Sequence, residues 1–77
     1  MILRIISAEK IEFEGEVDIV TLPGTMGSFQ ILNNHAALIS SLVEGTMTYV
    51  AGDTTHERDI KGGIADVKNN VVSVCLY

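Results

Sequence analysis

Hydrophobic and polar residues alternate along much of this chain, and the alternation is strictest between residues 11 and 19. Acidic residues occupy the even positions from Glu12 to Asp18, and Gly15 interrupts the apolar series at the odd positions. A period of two places one face of a β-strand in the core and the other in water. We therefore predict a half-buried strand with a solvated acidic face, which bends at Gly15 through a bulge or a hairpin turn. Its core-facing residues are expected to be Ile11, Phe13, Val17 and Ile19.

Short apolar or β-branched segments, separated by turn residues, make up the rest of the chain. Asn69 and Asn70 separate the last two segments and predict a hairpin with a tight primed turn. No segment has a convincing 3.6-residue period, so we predict an all-β fold of eight to ten short strands stacked as two sheets. The first strand is expected to be buried on much of both faces. The predicted strands are Ile2–Ser7, a segment around Phe29 and Ile31, Leu38–Leu42, Thr46–Ala51, Thr54–Ile60, Ile64–Lys68 and Val71–Leu76.

Composition restricts the class of protein and its partners. The 77 residues are 47% hydrophobic and 19% charged, which is typical of a folded globular domain rather than a disordered chain. The net charge is −5 and the five basic residues are scattered, which argues against nucleic acid or an anionic lipid surface as the direct partner. No apolar run approaches the roughly 20 residues that span a bilayer, and the N-terminus does not resemble a signal peptide.

The residues with catalytic or metal-binding potential are few. Cys75, the single cysteine, lies in an apolar segment, so we expect a buried, inert thiol in a protein of a reducing compartment. His35 and His56 are the only imidazoles, too few for a metal site without several converging carboxylates. The glycine-rich Gly24–Ser28 lacks the Gly-Lys-Ser/Thr ending of a phosphate-binding loop. We therefore predict no catalytic site, no metal and no cofactor.

The segment Leu22–Ala37 is unusual because glycines, amides and a histidine are mixed with bulky apolar residues. Met26 is expected at a loop tip between two glycines, where an apolar side chain favours a contact with a partner. His35 has two interpretations, as a side chain that satisfies the turn backbone or as an interface residue. Phe29 likewise is either part of the core or an exposed anchor. This segment favours a binding module over an enzyme.

Five motifs carry a resemblance to a known family. They are Leu22-Pro23-Gly24-x-x-Gly27, Asn34-His35-Ala36-Ala37-Leu38-Ile39-Ser40, Ser7-Ala8-Glu9 followed by Phe13 and Gly15, Leu42-x-x-Gly45, and Ile60-x-Gly62-Gly63-Ile64-x-x-Val67. In this order and at this spacing they resemble the N-terminal domain of the epsilon subunit of F-type ATP synthase. The resemblance covers almost the whole chain.

The resemblance implies a flattened, mostly antiparallel β-sandwich that forms one domain over residues 1–77. It also implies a non-catalytic rotor subunit of the central stalk, which joins the gamma subunit to the c-ring and couples ion transport to ATP synthesis. The implied location is the cytoplasmic face of the bacterial inner membrane, as a peripheral part of the complex. The implied c-ring-facing residues are Thr25, Met26, Gly27, Ser28, Phe29 and Gln30, and the implied gamma-facing residues are Ser7, His35 and Ser40.

The sequence also departs from the family pattern. Gln30 stands where the family often has glycine, and Asn33 and Ala37 stand where it often has proline, which is expected to make the segment 33–37 less rigid. The sequence ends where the family usually continues into a C-terminal helical hairpin. We therefore expect neither autoinhibition by that route nor ATP binding.

Two other classes of protein remain as alternatives. A stand-alone β-sandwich that binds a carbohydrate or another small ligand would usually display aromatic platforms, and this chain has no Trp, two Tyr and two Phe. A small acidic hydrolase would need a base and a nucleophile, which the sequence does not offer. Both alternatives predict binding or activity in the absence of a gamma subunit.

Overall fold

The computed structural model describes residues 1–8 and 10–77, so Glu9 of the Ser7-Ala8-Glu9 motif lies outside the described residues. Within this part the structure contains strands and turns but no helix. The nine strands are β1 (Ile2–Ser7), β2 (Lys10–Glu16), β3 (Ile19–Gly24), β4 (Gly27–Leu32), β5 (Leu38–Leu42), β6 (Gly45–Ala51), β7 (Thr54–Ile60), β8 (Gly63–Lys68) and β9 (Val71–Leu76).

The strands form two layers joined by a narrow hydrogen-bonded bridge. One layer has the order β2-β1-β9-β8-β5, and the other has the order β4-β3-β6-β7. The two layers connect through a single residue pair, Gly24 with Leu42, between β3 and β5. All strand pairs are antiparallel except β1 with β9. The predicted all-β, two-sheet and mostly antiparallel architecture is therefore confirmed, with a curl at the bridge.

The core lies between the layers and is built by the alternation of each strand. In β8 and β9 every second residue is buried, so that Ala65 and Val67 face Val74 and Val72 across the strand pair. Full burial of such aliphatic side chains contributes about 1.5–3 kcal/mol each. The buried hydrophobic residues are Met1, Leu3, Ile5, Val17, Val20, Leu22, Ile31, Leu42, Met47, Ile60, Ala65, Val67, Val72 and Val74.

A β-bulge at Glu12 changes the predicted face of the N-terminal hairpin. Ile5 pairs with Phe13, but the next residue, Ile6, pairs with Ile11, which leaves Glu12 without a partner. Directly opposed residues point to the same face of a sheet, so Ile11 follows Ile6 to the outer face. Ile11 is 55% exposed. The prediction that Ile11 lies in the core is therefore wrong, because one extra residue shifts the phase of the alternation.

The bend predicted at Gly15 also lies elsewhere. Gly15 pairs regularly with Leu3, and β2 continues to Glu16. The chain turns at Val17 and Asp18 and enters β3, so two strands occupy the region where the sequence predicts one bent strand.

Cys75 is exposed, and the prediction of a buried thiol is wrong. Val72 and Val74 of β9 are buried, so Cys75 points to the opposite, outer face. It pairs there with Ile6 of β1 and Ile64 of β8. Among residues 1–8 and 10–77 no other layer covers this face, which is why an apolar strand leaves its thiol in solvent.

Burial of β1 on both faces is likewise only partly observed. Leu3 and Ile5 are buried, whereas Arg4 is exposed and Ile2 and Ile6 are half-buried. Ile2, Arg4 and Ile6 point to the outer face of the same layer, which is open to solvent, so β1 is fully buried on one face only.

The turns follow the predicted chemistry more closely. Asn69 and Asn70 have φ values of 53° and 61°, as a primed two-residue turn requires, and they join β8 to β9. The predicted hairpin is confirmed.

The side of the sandwich where β2 faces β7 is closed by side chains. Arg58 of β7 binds Glu12 of β2 with two hydrogen bonds of 2.9 Å. Beside this pair, the ring of Tyr49 lies 4.8 Å from the ring of Phe13 and 5.0 Å from that of His56, between ring centroids. The stack covers the core on this side. The opposite side, where β4 faces β5, has the open groove described below.

Candidate interaction site

The β3–β4 hairpin projects Met26 into solvent from a regularly paired base. β3 and β4 pair over their whole length, from Ile19 with Leu32 to Gly24 with Gly27, which leaves Thr25 and Met26 as a two-residue tip. Gly27 has a φ of 115°, which a residue with a side chain adopts only with strain. Met26 is 99% exposed. The predicted apolar loop tip is thus present.

Two backbone hydrogen bonds fix the hairpin to the other layer. The amide of Thr25 donates to the carbonyl oxygen of Ser41 over 3.3 Å, and the amide of Val43 donates to that of Pro23 over 2.9 Å. Both bonds lie at the base of the tip. The exposed methionine is therefore carried by a braced hairpin.

Phe29 lies between its two predicted roles. It pairs with the buried Leu22, is half-buried, and packs against the core cluster. Its ring covers Gly24 so closely that a Cβ on Gly24 would come within 2.8 Å of the ring. A glycine is needed there because the phenyl ring occupies the space of a side chain. Phe29 is therefore a marginal core residue with one exposed edge.

The segment 33–37 folds back on itself and is tied to other parts of the chain. The His35 amide donates to the carbonyl oxygen of Leu32 over 3.2 Å, and the ring Nδ1 lies 2.7 Å from that of Ala36. The amide of Asn34 donates to the side-chain oxygen of Asn70 over 2.8 Å. The His35 ring contacts the turn backbone, as the first of its two interpretations expects, and it is exposed, as an interface residue would be.

An open groove of about 440 Å³ lies between β4 and β5 and brings most of the predicted site residues together. It contains five of the six residues predicted to face the c-ring, and His35 and Ser40 of the three predicted to face gamma. Apart from His35, no lining side chain is titratable. The lining residues are Gly24, Met26, Gly27, Ser28, Phe29, Gln30, His35, Leu38, Ile39 and Ser40.

Ser7 does not join this groove. It pairs with Leu76 of β9, which pairs with Gly63 of β8, which in turn pairs with Leu42 of β5. Three strand spacings therefore separate Ser7 from β5, about 14 Å across the sheet. The implied gamma-facing residues thus lie in two places on the surface.

Leu38 and Ile39 were not among the residues predicted for the site. The exposed side chain of Ile39 lines the groove, whereas Leu38 is half-buried. The exposure of Ile39 could have been found from the sequence. Leu38 and Leu42 lie an even number of residues apart and face inward, so Ile39, one residue out of phase, points to the opposite face of β5.

The polar groups of this surface remain in contact with solvent. In the part of the chain that the structure describes, no polar or charged residue is buried. Over the same residues, no three His, Cys, Asp or Glu side chains converge as a metal site would require. Nor do residues 1–8 and 10–77 include a helix long and apolar enough to cross a membrane. The groove offers backbone edges and apolar surface for contact with another molecule.

A family model described as "ATP synthase, Delta/Epsilon chain, beta-sandwich domain" matches residues 1–76. The ATP synthase epsilon chain of Leptospira borgpetersenii is 41% identical over 72 residues, which are 94% of this chain and 57% of that protein. The ATP synthase epsilon chain of Caulobacter vibrioides is 46% identical over 63 residues, 82% of this chain and 73% of that protein. The chain thus spans little more than half of the Leptospira relative.

Two solved structures share the fold. A chain in the Euglena gracilis mitochondrial ATP synthase structure (OSCP/F1/c-ring) superposes with a TM-score of 0.92 at 23% identity, over 99% of this chain and 49% of that chain. A chain in the Tetrahymena thermophila mitochondrial ATP synthase structure (central stalk/c-ring) gives 0.83 at 15% identity, over 97% and 61% respectively. At these identities the superpositions establish the fold alone.

Proposed function

This chain belongs to the family of ATP synthase Delta/Epsilon chain β-sandwich domains, and we propose that it is a non-catalytic part of the central stalk of an F-type ATP synthase. In this role it joins the gamma subunit to the c-ring, so that rotation driven by ion transport reaches the catalytic head. The observation that carries the proposal is the fully exposed Met26 on a braced hairpin. A small monomeric sandwich has no need of an apolar tip of this kind.

The tip and the strand that follows it form the proposed c-ring contact, from Thr25 to Gln30. The hairpin is suited to this role because its register is regular and its base is hydrogen-bonded to the other layer. A joint that transmits torque needs contact residues held on rigid elements. Contact with the c-ring would hold the domain at the membrane surface without inserting it.

The proposed gamma contact includes His35 and Ser40 at the groove and Ser7 on β1. His35 and Ser40 both line the groove, and Ser7 would extend the contact to β1, three strand spacings from β5. A surface of this breadth suits a stable subunit interface, which typically involves roughly 20–30 residues on each side. Phe29 lines the groove, but its ring is half-buried and packs against the core cluster, so it does not form the exposed aromatic platform that would favour the alternative of a small-ligand module.

Binding to the cognate gamma subunit, measured by calorimetry, tests the proposal. The wild-type chain is compared with His35→Ala and with the matched control His56→Ala. His56 stacks on Tyr49 at the closed side of the sandwich, away from the groove. We expect wild-type binding that weakens for His35→Ala by about tenfold, or roughly 1.4 kcal/mol, and little change in affinity for His56→Ala. Absence of wild-type binding at micromolar concentrations would remove the proposed function while leaving the family and the fold in place.

A further inference from the structure

The outer face of the first layer is centred on β9, which has β1 on one side and β8 on the other. Leu3, Val72 and Val67 pair across these three strands and are buried, so the residues out of phase with them point outward. Nine outward residues form three rows across the strands. The rows are Ile6–Cys75–Ile64, Arg4–Ser73–Asp66 and Ile2–Val71–Lys68. We call these nine residues the β9 face.

The first row of the β9 face is apolar and reaches solvent. Ile64 is 43% exposed, Cys75 is exposed and Ile6 is half-buried. Ile11 pairs with Ile6, extends the row onto β2 and is 55% exposed. A contiguous apolar row on an open sheet face is typical of a surface that another molecule covers.

The second row carries opposite charges on the two sides of β9. Arg4 and Asp66 both pair with Ser73, so they flank β9 at the same height, about 10 Å apart. Both are exposed. The guanidinium of Arg4 binds Glu14 through Nε over 3.1 Å and has further N–H donors for a second carboxylate. The face therefore offers a cation and an anion at equal distances from its central strand.

This pattern is complementary to itself about a two-fold axis that runs along β9. When two copies stack face to face about such an axis, β1 of each lies over β8 of the other, and β9 lies over β9. Arg4 of each copy then faces Asp66 of the other, and Ile6 faces Ile64. An axis across the strands through Ser73 would instead place Arg4 over Arg4 and Asp66 over Asp66, which repel. The charges therefore select the axis along β9.

We propose that the free chain forms a two-fold symmetric homodimer through the β9 face. The first layer has five strands about 4.8 Å apart and about 20 Å long, so each copy offers about 500 Å². Two copies bury roughly 1,000 Å², less than the 1,200–2,000 Å² typical of stable interfaces. We therefore expect a weak dimer, with a Kd of roughly 0.1–1 mM, and a monomer in dilute solution.

The dimer goes beyond the proposed rotor function and does not depend on it. The nine residues of the β9 face include none of those proposed to contact the c-ring or the gamma subunit. Ser7 of β1 alternates with Ile6 and belongs to the opposite phase of the strand. Failure of the chain to bind gamma would therefore leave the dimer standing, and failure to dimerise would leave the proposed function standing.

Sedimentation equilibrium of the wild-type chain, from about 10 µM to about 1 mM, tests the self-association. We expect the average mass to rise from the monomer value of 8.3 kDa towards twice that value and to go no higher, because a two-fold contact closes on itself. A mass that stays at 8.3 kDa throughout would overturn the proposal. A mass that continues to rise beyond the dimer would overturn the two-fold geometry and the proposal with it.

Charge reversal tests the facing pairs. Asp66→Arg places an arginine opposite Arg4 twice in each dimer, so association is expected to weaken by at least about tenfold. The same change lowers the magnitude of the net charge from −5 to −3, which by itself would favour association. The expected effect is therefore opposite in sign to a general charge effect. The matched control, Asp53→Arg at the β6–β7 turn, makes the same charge change away from the face and is expected to associate at least as tightly as wild type.

A mixture of two variants tests the same geometry by rescue. Asp66→Arg and Arg4→Asp each set like charges opposite one another in their own dimers. In the mixed dimer every facing pair has opposite signs again, so we expect association within about threefold of wild type. A mixture that associates no better than either variant alone would overturn the proposed pairing.

Cys75 lies on the proposed axis and reports on it. Facing sheets pack about 10 Å apart, whereas the Cα atoms of a disulfide are about 4.4–6.8 Å apart, so a short bis-maleimide is used in place of oxidation. At equal concentration we expect Cys75 to cross-link two copies at least about tenfold faster than the exposed thiol of Asp53→Cys in a Cys75→Ser background. Equal rates would place Cys75 away from the axis and overturn the proposal.

The remaining outcomes give the β9 face to no partner or to a different one. Dimerisation that Asp66→Arg leaves unchanged would place the contact elsewhere and overturn the proposal. A free chain that stays monomeric, while Asp66→Arg weakens binding to the cognate gamma subunit, would assign the face to gamma and overturn the dimer. Thermal melts check that each variant folds, and sedimentation and cross-linking of the wild-type chain decide the question if a variant does not.

Discussion

Replacing Gly63 with alanine should strongly destabilise the first layer of the sandwich. Gly63 opens β8 with a φ of 158° and pairs with Leu42 on one side and Leu76 on the other. A Cβ at this position would overlap the carbonyl oxygen of Cys75 and would lie 3.1 Å from the Cα of Leu76. These are backbone atoms of a paired strand, so they can give way only if β8 and β9 separate.

The expected cost combines two effects. Forcing a methyl group into a packed site costs about 1–3 kcal/mol. Holding a residue other than glycine in a sparsely populated backbone region costs about 1–3 kcal/mol more. We therefore expect a loss of about 4 kcal/mol from the total of about 4–11 kcal/mol typical of a chain of this length. For a small domain this corresponds to a fall in Tm of about 15–30 °C.

Gly52→Ala is the matched control, because Gly52 also has a positive φ, of 63°, but a Cβ added there would meet no atom within 4 Å. Only the left-handed backbone costs free energy there, about 1–2 kcal/mol. The two variants and wild type are compared by thermal and urea unfolding, followed by circular dichroism. If Gly63→Ala melted within a few degrees of wild type, or no lower than Gly52→Ala, the close packing of β8 on β9 would be refuted.

Three further predictions concern exposed groups and one buried control. Cys75 is exposed, so a thiol reagent should label it in the folded chain at nearly the rate of a free thiol, and protection until unfolding would contradict the outward orientation. A double-mutant cycle of Glu12→Ala and Arg58→Ala should give a coupling free energy of about 0.5–1 kcal/mol, and this coupling should fall with added salt. A coupling that is absent or independent of salt would contradict the ion pair that closes this side of the sandwich. Met26→Ala should leave the free energy of unfolding unchanged, whereas Leu22→Ala should lower it by about 2–5 kcal/mol. If the two variants lost similar amounts of stability, the exposure of Met26 at the tip would be contradicted.

Four strands could be predicted with their boundaries from the sequence, because local chemistry determines where these strands end. Ile2–Ser7, Leu38–Leu42, Thr54–Ile60 and Val71–Leu76 were predicted to the residue. Each is bounded by turn residues or by the ends of an apolar run. The Asn69-Asn70 turn could be predicted for the same reason, since asparagine tolerates positive φ better than most residues.

The faces of the strands could not be predicted as well, because they depend on contacts between distant residues. Nothing about Glu12 marks it as the extra residue of a bulge, so the exposure of Ile11 follows only from the pairing of β2 with β1. Cys75 lies in a run that is apolar at nearly every position, which suggests burial on both faces. Whether the outer face is covered depends on the number of layers, which a single strand does not encode.

The candidate site was predicted in part. Met26 and His35 belong to one segment, and its glycines and amides drew attention to it. That Ser40 and Ile39 lie across a groove from β4 follows from the two-layer arrangement and the single bridge at Gly24. Ser7 was grouped with His35 by resemblance to the family, and the structure separates the two.

Cross-linking from the hairpin tip in an assembled ATP synthase tests the proposed rotor role most directly. Met26→Cys, in a Cys75→Ser background, carries a photoreactive group at the tip. The control is Asp53→Cys in the same background, at the turn joining β6 to β7, the opposite end of that layer from Met26. We expect an adduct with the c subunit from Met26→Cys and none from Asp53→Cys. An assembled complex in which Met26→Cys forms no c-subunit adduct, or no more than Asp53→Cys, would contradict it.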